Sequence, residues 1–258
     1  MHTTTSQLEQ AAAYNHTELF CRNALARGGE IRTMEDLTYT YEGPDYQSMI
    51  AFPSLSAAVA DRRLDEMMDW YASRPTRGLG CWSLAPPQPA DLGARLKARG
   101  FQDGWQPCWM ALELGQMKVE YDHPAGLRIV ADNDISLSDV KDLPYTGRHS
   151  AVSPELLHYH PEQAQQFVAL LKGRIVGHSS MCITNGVHGV AGIYDVAVVP
   201  SARQKGIGKA LVLAACLKAK EKGIHYAVLN ATGRRMYEQI GFRWLGDGFT
   251  WWLLPPND

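Results

Sequence analysis

Apolar and polar positions in this chain alternate with two periods, and the change of period separates strands from helices. LRIVAD at 127–132 and the two halves of QFVALLKGRIVGHSSMCITN at 166–185 are apolar runs of strand length, the latter joined by the turn pair Lys172–Gly173. GVAGIYDVAVV at 189–199 predicts a further strand, stopped by Pro200. Beyond it the period lengthens. Ala210, Leu213, Ala214 and Leu217 recur at helical spacing and are expected in the core, with Lys218, Lys220 and Lys222 in solvent. HYAVLN at 225–230 reads as a strand, followed by a helix ending at Gly241 and an aromatic-rich strand. ISLSDVKDL at 135–143 is expected as a short helix and the run from about 155 to 164 as a second helical piece.

The first half of the chain echoes the second. Residues 91–114 and 232–255 share a basic helix pattern, then Gly100–Phe101 against Gly241–Phe242, then aromatic strand residues. Upstream, Pro53 stands between an apolar strand and a helix as Pro200 does. The expectation is an α/β fold, a mixed sheet flanked by helices, occurring as two tandem domains over residues 1–120 and 121–258. The turn-prone segment YDHPAG at 121–126 is the expected join.

The segments after the two prolines differ. The sixth residue after Pro200 is Gly206, in ARQKGIGKA, whereas the sixth after Pro53 is Val59, and no glycine-basic pattern lies nearby. A glycine-punctuated turn at a helix start offers unpaired main-chain N–H groups and the positive end of the helix dipole, which together bind phosphate. Arg203, Lys205 and Lys209 add countercharge. The spacing fits neither a P-loop, since Ala210 follows Lys209, nor a dinucleotide fingerprint, since Leu211 stands where a third glycine is needed.

At 258 residues with formal charge −2, the chain offers no broad basic surface for nucleic acid. Residues 1–20 are polar and no stretch of about 18 apolar residues occurs, so neither a secretion signal nor a membrane span is expected, and a cytoplasmic location is the default. The five cysteines are scattered without CxxC spacing, so neither a disulfide framework nor a zinc site is expected. His149, His158 and His160 fit no standard metal spacing and read instead as a wall beside an acceptor site.

Arg203, two residues, Gly206, one residue and Gly208 resemble the R/Q-x-x-G-x-G/A signature of the GCN5-related N-acetyltransferases, whose loop holds the pyrophosphate of acetyl-CoA. Asn230, Tyr237, Gly241 and Phe242 resemble the same family's later motif at the expected distance. The first half of the chain then resembles a degenerate copy, as in tandem members. The resemblance implies direct acetyl transfer from acetyl-CoA to a primary amine of a small molecule or peptide. It places the coenzyme on Val196, Ala197, Val198, Arg203, Gln204, Lys205, Gly206, Ile207, Gly208, Lys209 and Asn230. Tyr237 is matched to the proton donor for the coenzyme thiolate. Asp195 is a candidate base, a counter-ion for the acceptor amine, or an acceptor of backbone hydrogen bonds at a sheet bulge. No metal is expected, and a monomer and a homodimer are both open. The alternatives are a coenzyme-binding module without catalysis, and an acyltransferase with another acyl donor or an oxygen acceptor.

Overall fold

The computed structural model describes residues 3–120 and 122–255. Tyr121, the first residue of the expected join, lies outside them, as do 256–258 at the end of the second expected domain and 1–2 at the start of the first. The chain forms two compact units, each discontinuous in sequence. The larger comprises Met1–Asn15 with Trp109–Leu245, and the smaller His16–Cys108 with Gly246–Asp258. Helix α1 (Thr5–Ala26) and strand β12 (Arg243–Leu253) contribute residues to both.

In the larger unit the strand order is β6 (Cys108–Glu113), β11 (Tyr226–Ala231), β10 (Ala191–Val198), β9 (Arg174–Ile183), β8 (Ala164–Leu171) and β7 (Leu127–Ala131). Strands β7 to β10 pair antiparallel, and β10 pairs β11 in parallel. Lys172 and Gly173 both take positive φ, 52° and 77°, which gives the β8–β9 hairpin a turn whose twist matches its strands. Helix α5 (Ile207–Glu221) buries Ile207, Ala210, Leu211, Val212, Leu213, Ala215, Cys216 and Ala219. This corrects the expected core face: Leu217 is 45% exposed. The helix is apolar nearly all round, so its spacing alone does not say which stripe meets the sheet.

The short helix expected at 135–143 does not form. Side chains hold the chain leading into it in a turn: Gln166 donates to the Asp132 and Ile135 carbonyls, and the Asp132 carboxylate accepts from Asp134 N–H. Within the segment itself, among the described residues, the main chain makes only the turn bonds from Val140 N–H to the Leu137 carbonyl and from Leu143 N–H to the Val140 carbonyl. The next helical piece, α4 (Pro154–Tyr159), is shorter than expected because Ala164 already belongs to β8. Its start is well specified, with Pro154 in the first turn and the Ser153 hydroxyl accepting from Leu156 N–H at 3.0 Å.

The smaller unit contains β1 (Glu30–Thr33), β2 (Thr38–Tyr41), β3 (Ser48–Ala51), β4 (Leu79–Leu84) and the remainder of β12, with β5 (Gln102–Asp103) paired to β12. Helices α2 (Ala60–Ala72) and α3 (Leu92–Lys97) cover a core that includes Ile50, Leu64, Met67, Leu92, Leu96 and Trp251. Strands β3 and β4 are parallel. No helix among the described residues is long and apolar enough to cross a membrane.

Candidate active site

The site is built where β10 changes course. Tyr194 lies opposite Ser180 and Ala197 opposite His178, so two residues of β10, Asp195 and Val196, face one residue of β9. This is a β-bulge, and Asp195 at its centre holds φ at 54°. Upstream of the bulge β10 pairs β11 at Ala191–Ala227 and Gly192–Val228. Downstream the two parallel strands separate, while β10 keeps its β9 partners at Ala197 and Val198. The edge of Val196, Ala197 and Val198 that faces away from β9 is thereby left without a strand partner, and Val196 and Val198 are half-buried. Unpaired main-chain donors and acceptors along a slot suit an extended amide-bearing ligand.

At the mouth of the slot, Pro200–Ala202 makes one 3-10 turn and the chain reverses through Gln204 (φ 60°) and Gly206 (φ 76°) into α5. The first main-chain bond of α5 runs from Ala210 N–H to the Gly206 carbonyl. Among the described residues, the N–H groups from Gln204 to Lys209 have no hydrogen-bond partner. Such a run of orphan donors at a helix start, backed by the helix dipole, is an anion site. Arg203 Nε donates to the Val198 carbonyl at 3.0 Å and Lys205 Nζ to the Ser201 carbonyl at 3.1 Å, so both cations are folded against the loop.

The two glycines have a structural reason beyond open access to a ligand. A Cβ on Gly206 would collide with the Asp122 carbonyl oxygen, and the residue also needs its left-handed φ. A Cβ on Gly208 would stand 3.1 Å from Met236 Sδ, so this glycine sets the approach of α5 to helix α6 (Arg235–Ile240).

The Asp195 carboxylate is buried and engaged. It accepts from Ala151 N–H at 2.8 Å and from Val152 N–H at 3.1 Å, and the Ser180 hydroxyl lies near enough to favour its charged form. Burial raises its pKa to about 6, against the pull of those three groups. Of the roles open to it, this geometry realises the acceptor of backbone hydrogen bonds at a bulge. Two residues along β9 from Ser180, and on the same face, His178 is 1% exposed and its Nε2 donates to the Pro144 carbonyl at 2.8 Å. Burial lowers the His178 pKa, and its Nδ1 has no partner among the described residues.

Tyr237 lies on α6, packed edge-to-face on Phe242 with centroids 5.9 Å apart. Burial, and then the neighbouring Tyr145, push its hydroxyl up to about 12. Gly241 closes α6 in the left-handed conformation, as its place before Phe242 predicts. Asn230 is half-buried near the end of β11, beyond the point where β10 leaves it. His149 and His158 are exposed and His160 is half-buried, and no group of three or more His, Cys, Asp or Glu side chains placed to hold a metal occurs among the described residues.

Sequence reasoning missed Tyr145, His178 and Ser180. The last two had a signal: in GHSSMCI two polar residues sit two apart in an otherwise buried strand, on the face that carries the bulge partner.

Residues 135–242 match the model of the Acetyltransferase (GNAT) family. A glucosamine 6-phosphate N-acetyltransferase of Trypanosoma brucei brucei is 40% identical over 77 residues, covering 28% of this chain. The chain spans about half the length of that curated relative, 52%. Among solved structures, a GCN5-related N-acetyltransferase from Kribbella flavida superposes with TM-score 0.69 at 17% identity, covering 96% of each chain. One from Sphaerobacter thermophilus gives 0.59 at 16%, covering 97% of this chain and 95% of its own. A tandem GNAT protein from the clavulanic acid biosynthesis pathway gives 0.56 at 16%, covering 86% and 79%. These structural likenesses establish a GNAT-like fold, a mixed sheet flanked by helices.

Proposed function

We propose that this chain, with its GNAT-family segment at 135–242, is an acetyl-CoA-dependent N-acetyltransferase acting by direct transfer on a primary amine of a small molecule or peptide. The observation that carries the reading is the conjunction of two sets of main-chain groups: the parted edge of β10 at Val196–Val198, without a strand partner though its Val198 carbonyl is held by Arg203 Nε, and the orphan N–H run from Gln204 to Lys209. A pantetheine arm and a pyrophosphate need those two sets in that order. Asn230 stands on the opposite lip of the slot.

Acetyl transfer asks for three things beyond binding. The carbonyl must be polarised, and a main-chain N–H donor aimed at it contributes about 3 to 4 kcal/mol. The unpaired edge beside the bulge supplies such donors. The amine must be neutral, which costs an alkylammonium of pKa near 10.4 about 4.6 kcal/mol at pH 7. Asp195 is buried and turned to Ala151 and Val152 N–H, so proton removal through it runs by way of water. The departing sulfur must be stabilised, and Tyr237, raised to about 12, keeps its proton through the neutral range and offers an O–H donor.

Residues 1–120 are, on this reading, the same architecture without a coenzyme site, so that the chain is a tandem protein. The domain division at 120/121 belongs to the same proposal. A soluble cytoplasmic enzyme, monomeric or homodimeric, is the working state. The name of the Trypanosoma relative makes glucosamine 6-phosphate the first acceptor to try.

Titration of the full chain with coenzyme A by calorimetry, followed by thiol release from acetyl-CoA against an amine panel that includes glucosamine 6-phosphate, tests the reading. Saturable binding and acceptor-dependent release are expected. Binding without release from any amine leaves a coenzyme-binding module; no binding by well-folded protein removes the proposal.

A further inference from the structure

The segment between Pro144 and Val152 is tied to the sheet at its two ends, and among the described residues no hydrogen bond joins 145–150 to the sheet between them. At one end His178 Nε2 donates to the Pro144 carbonyl at 2.8 Å; at the other the Asp195 carboxylate accepts from Ala151 and Val152 N–H at 2.8 and 3.1 Å. The two anchors are on neighbouring antiparallel strands, β9 and β10. Between the anchors the chain carries Tyr145, Thr146, Gly147, Arg148 and His149, with Tyr145 and Gly147 both at φ 59°. Tyr145 is 49% exposed and near enough to Tyr237 to raise its pKa.

His178 is suited to holding such a loop in one place. Its Nε2 carries the proton that Pro144 accepts, so the ring is fixed in one tautomer. Nδ1 is a bare acceptor in a buried setting, and a second proton there would find no partner among the described residues. The ring therefore stays neutral and its single donor stays directed at the loop. Asp195 complements it with acceptors alone.

Building on the acetyltransferase reading, we propose that His178 and Asp195 are a pair of positioning residues that pin the 144–152 loop as the acceptor-side wall, and so set recognition of the amine rather than of the coenzyme. Neither touches the reacting atoms on this account: both act on recognition through the loop, which carries Tyr145, Arg148 and His149 and brings Tyr145 near Tyr237. The left-handed backbone of Tyr145 makes the loop dependent on its anchors, since that conformation in a non-glycine residue persists only where the surroundings enforce it.

The test uses His178→Leu, His178→Gln and Asp195→Asn in the full chain. In His178→Leu, hydrogen exchange of the 145–152 amides accelerates about tenfold, the loss expected of one buried hydrogen bond, while exchange in β8, β9 and α5 stays at the wild-type rate. His178→Gln, which keeps a side-chain N–H donor, restores most of the protection. Coenzyme A dissociation constants remain within twofold of wild type in all three. With glucosamine 6-phosphate as the probe acceptor, KM rises about tenfold in His178→Leu and kcat changes less than threefold. Unchanged loop exchange in both His178→Leu and Asp195→Asn overturns the pinning, and so does a coenzyme affinity that falls as far as the acceptor's. Should His178→Leu fail to fold, Asp195→Asn and His178→Gln carry the same readouts. Exchange and coenzyme affinity do not depend on turnover, so a wild-type protein that releases no thiol with any amine defeats the acetyltransferase reading while the pinning is still judged on its own.

Discussion

Two strand–proline–helix junctions, one in each unit, share a spacing and differ in everything that would hold a coenzyme. Pro200 precedes the N-cap of α5 by six residues, and Pro53 precedes the N-cap of α2 by the same number. The N-cap is Gly206 at φ 76° in one and Val59 at φ −112° in the other. The donors at the first are orphaned from Gln204 to Lys209, whereas at the second Val59 and Ala60 N–H both reach the Ser56 carbonyl. Charge divides less cleanly: α5 begins among Arg203, Lys205 and Lys209 with no acidic residue in its first turn, whereas α2 opens with Asp61, Arg62 and Arg63, all held in ion pairs, Asp61 with Arg95 and Arg99 and the two arginines with Glu66. The strands differ too. β10 parts from β11 after Gly192, while β3 stays paired with β4 from Ser48 to Ala51, and Phe52 N–H extends the ladder to the Trp82 carbonyl. The orphan donors and the slot thus occur at one junction, where β10 bulges at Asp195 and leaves β11; where β3 runs without a bulge it stays paired with β4.

The strongest way to break the comparison is to give the first junction the second one's cap. Gly206→Val forces a β-branched residue to positive φ and drives its Cβ into the Asp122 carbonyl. Coenzyme A affinity is expected to fall about a thousandfold, ~4 kcal/mol, by calorimetry. A change under tenfold would show that the cap does not set the cradle.

The bulge supplies the next largest effect. Five residues before its proline the larger unit has Asp195 and the smaller has Ser48, both buried, only one of them ionisable in the neutral range. Asp195 has its folded pKa raised from 3.8 to about 6 by burial. The folded state therefore holds the proton more tightly than the unfolded chain, and this group's stabilisation is fully present below about pH 4 and is lost as the pH rises through about 6. The loss amounts to about 3 kcal/mol, read as unfolding free energy against pH in urea. Asp195→Asn removes that slope; a variant with the wild-type slope would assign it elsewhere.

A smaller effect separates charge from geometry at the cradle. Arg203→Ala is expected to weaken coenzyme A about tenfold and to flatten the salt dependence of binding, since the guanidinium is exposed and its contribution is screened. Loss of affinity with an unchanged salt slope would mean that Arg203 serves the loop only through its bond to the Val198 carbonyl.

The sequence carried the cradle and most of the sheet because both depend on local chemistry. Pro200, the two glycines and their basic neighbours specify the turn by themselves, and the Lys172–Gly173 pair specifies its hairpin. Helix α1 stayed hidden for a physical reason. Its buried stripe runs Leu8, Ala11, Ala12, Asn15, His16, Leu19, Phe20, Asn23 and Ala24, a helical spacing in which three members are polar. Asn15 is satisfied by long-range partners, donating to the Cys182 carbonyl and accepting from the Tyr194 hydroxyl at 2.6 Å, and hydropathy cannot anticipate such partners. The expected helix at 135–143 failed in the same way, the chain leading into it held in a turn by Gln166 and Asp132. The Asp195 contacts also join residues more than forty positions apart, so the sequence showed the residue and left its partners open.

The smallest expected effect is the most discriminating between cap and slot. Val59→Gly copies the cap of α5 into the smaller unit. Glycine is the better N-cap but loses more backbone entropy, so unfolding free energy should change by less than about 0.5 kcal/mol. In a chain already carrying Gly206→Val, this second substitution should return no coenzyme binding. Val59 and Ala60 N–H would still be engaged by Ser56, and β3 would still be closed against β4. Calorimetry with coenzyme A on the double variant reads this directly. Recovered binding would mean that one residue separates the two junctions, and that neither the parted strands nor the orphan donors beyond the cap are needed.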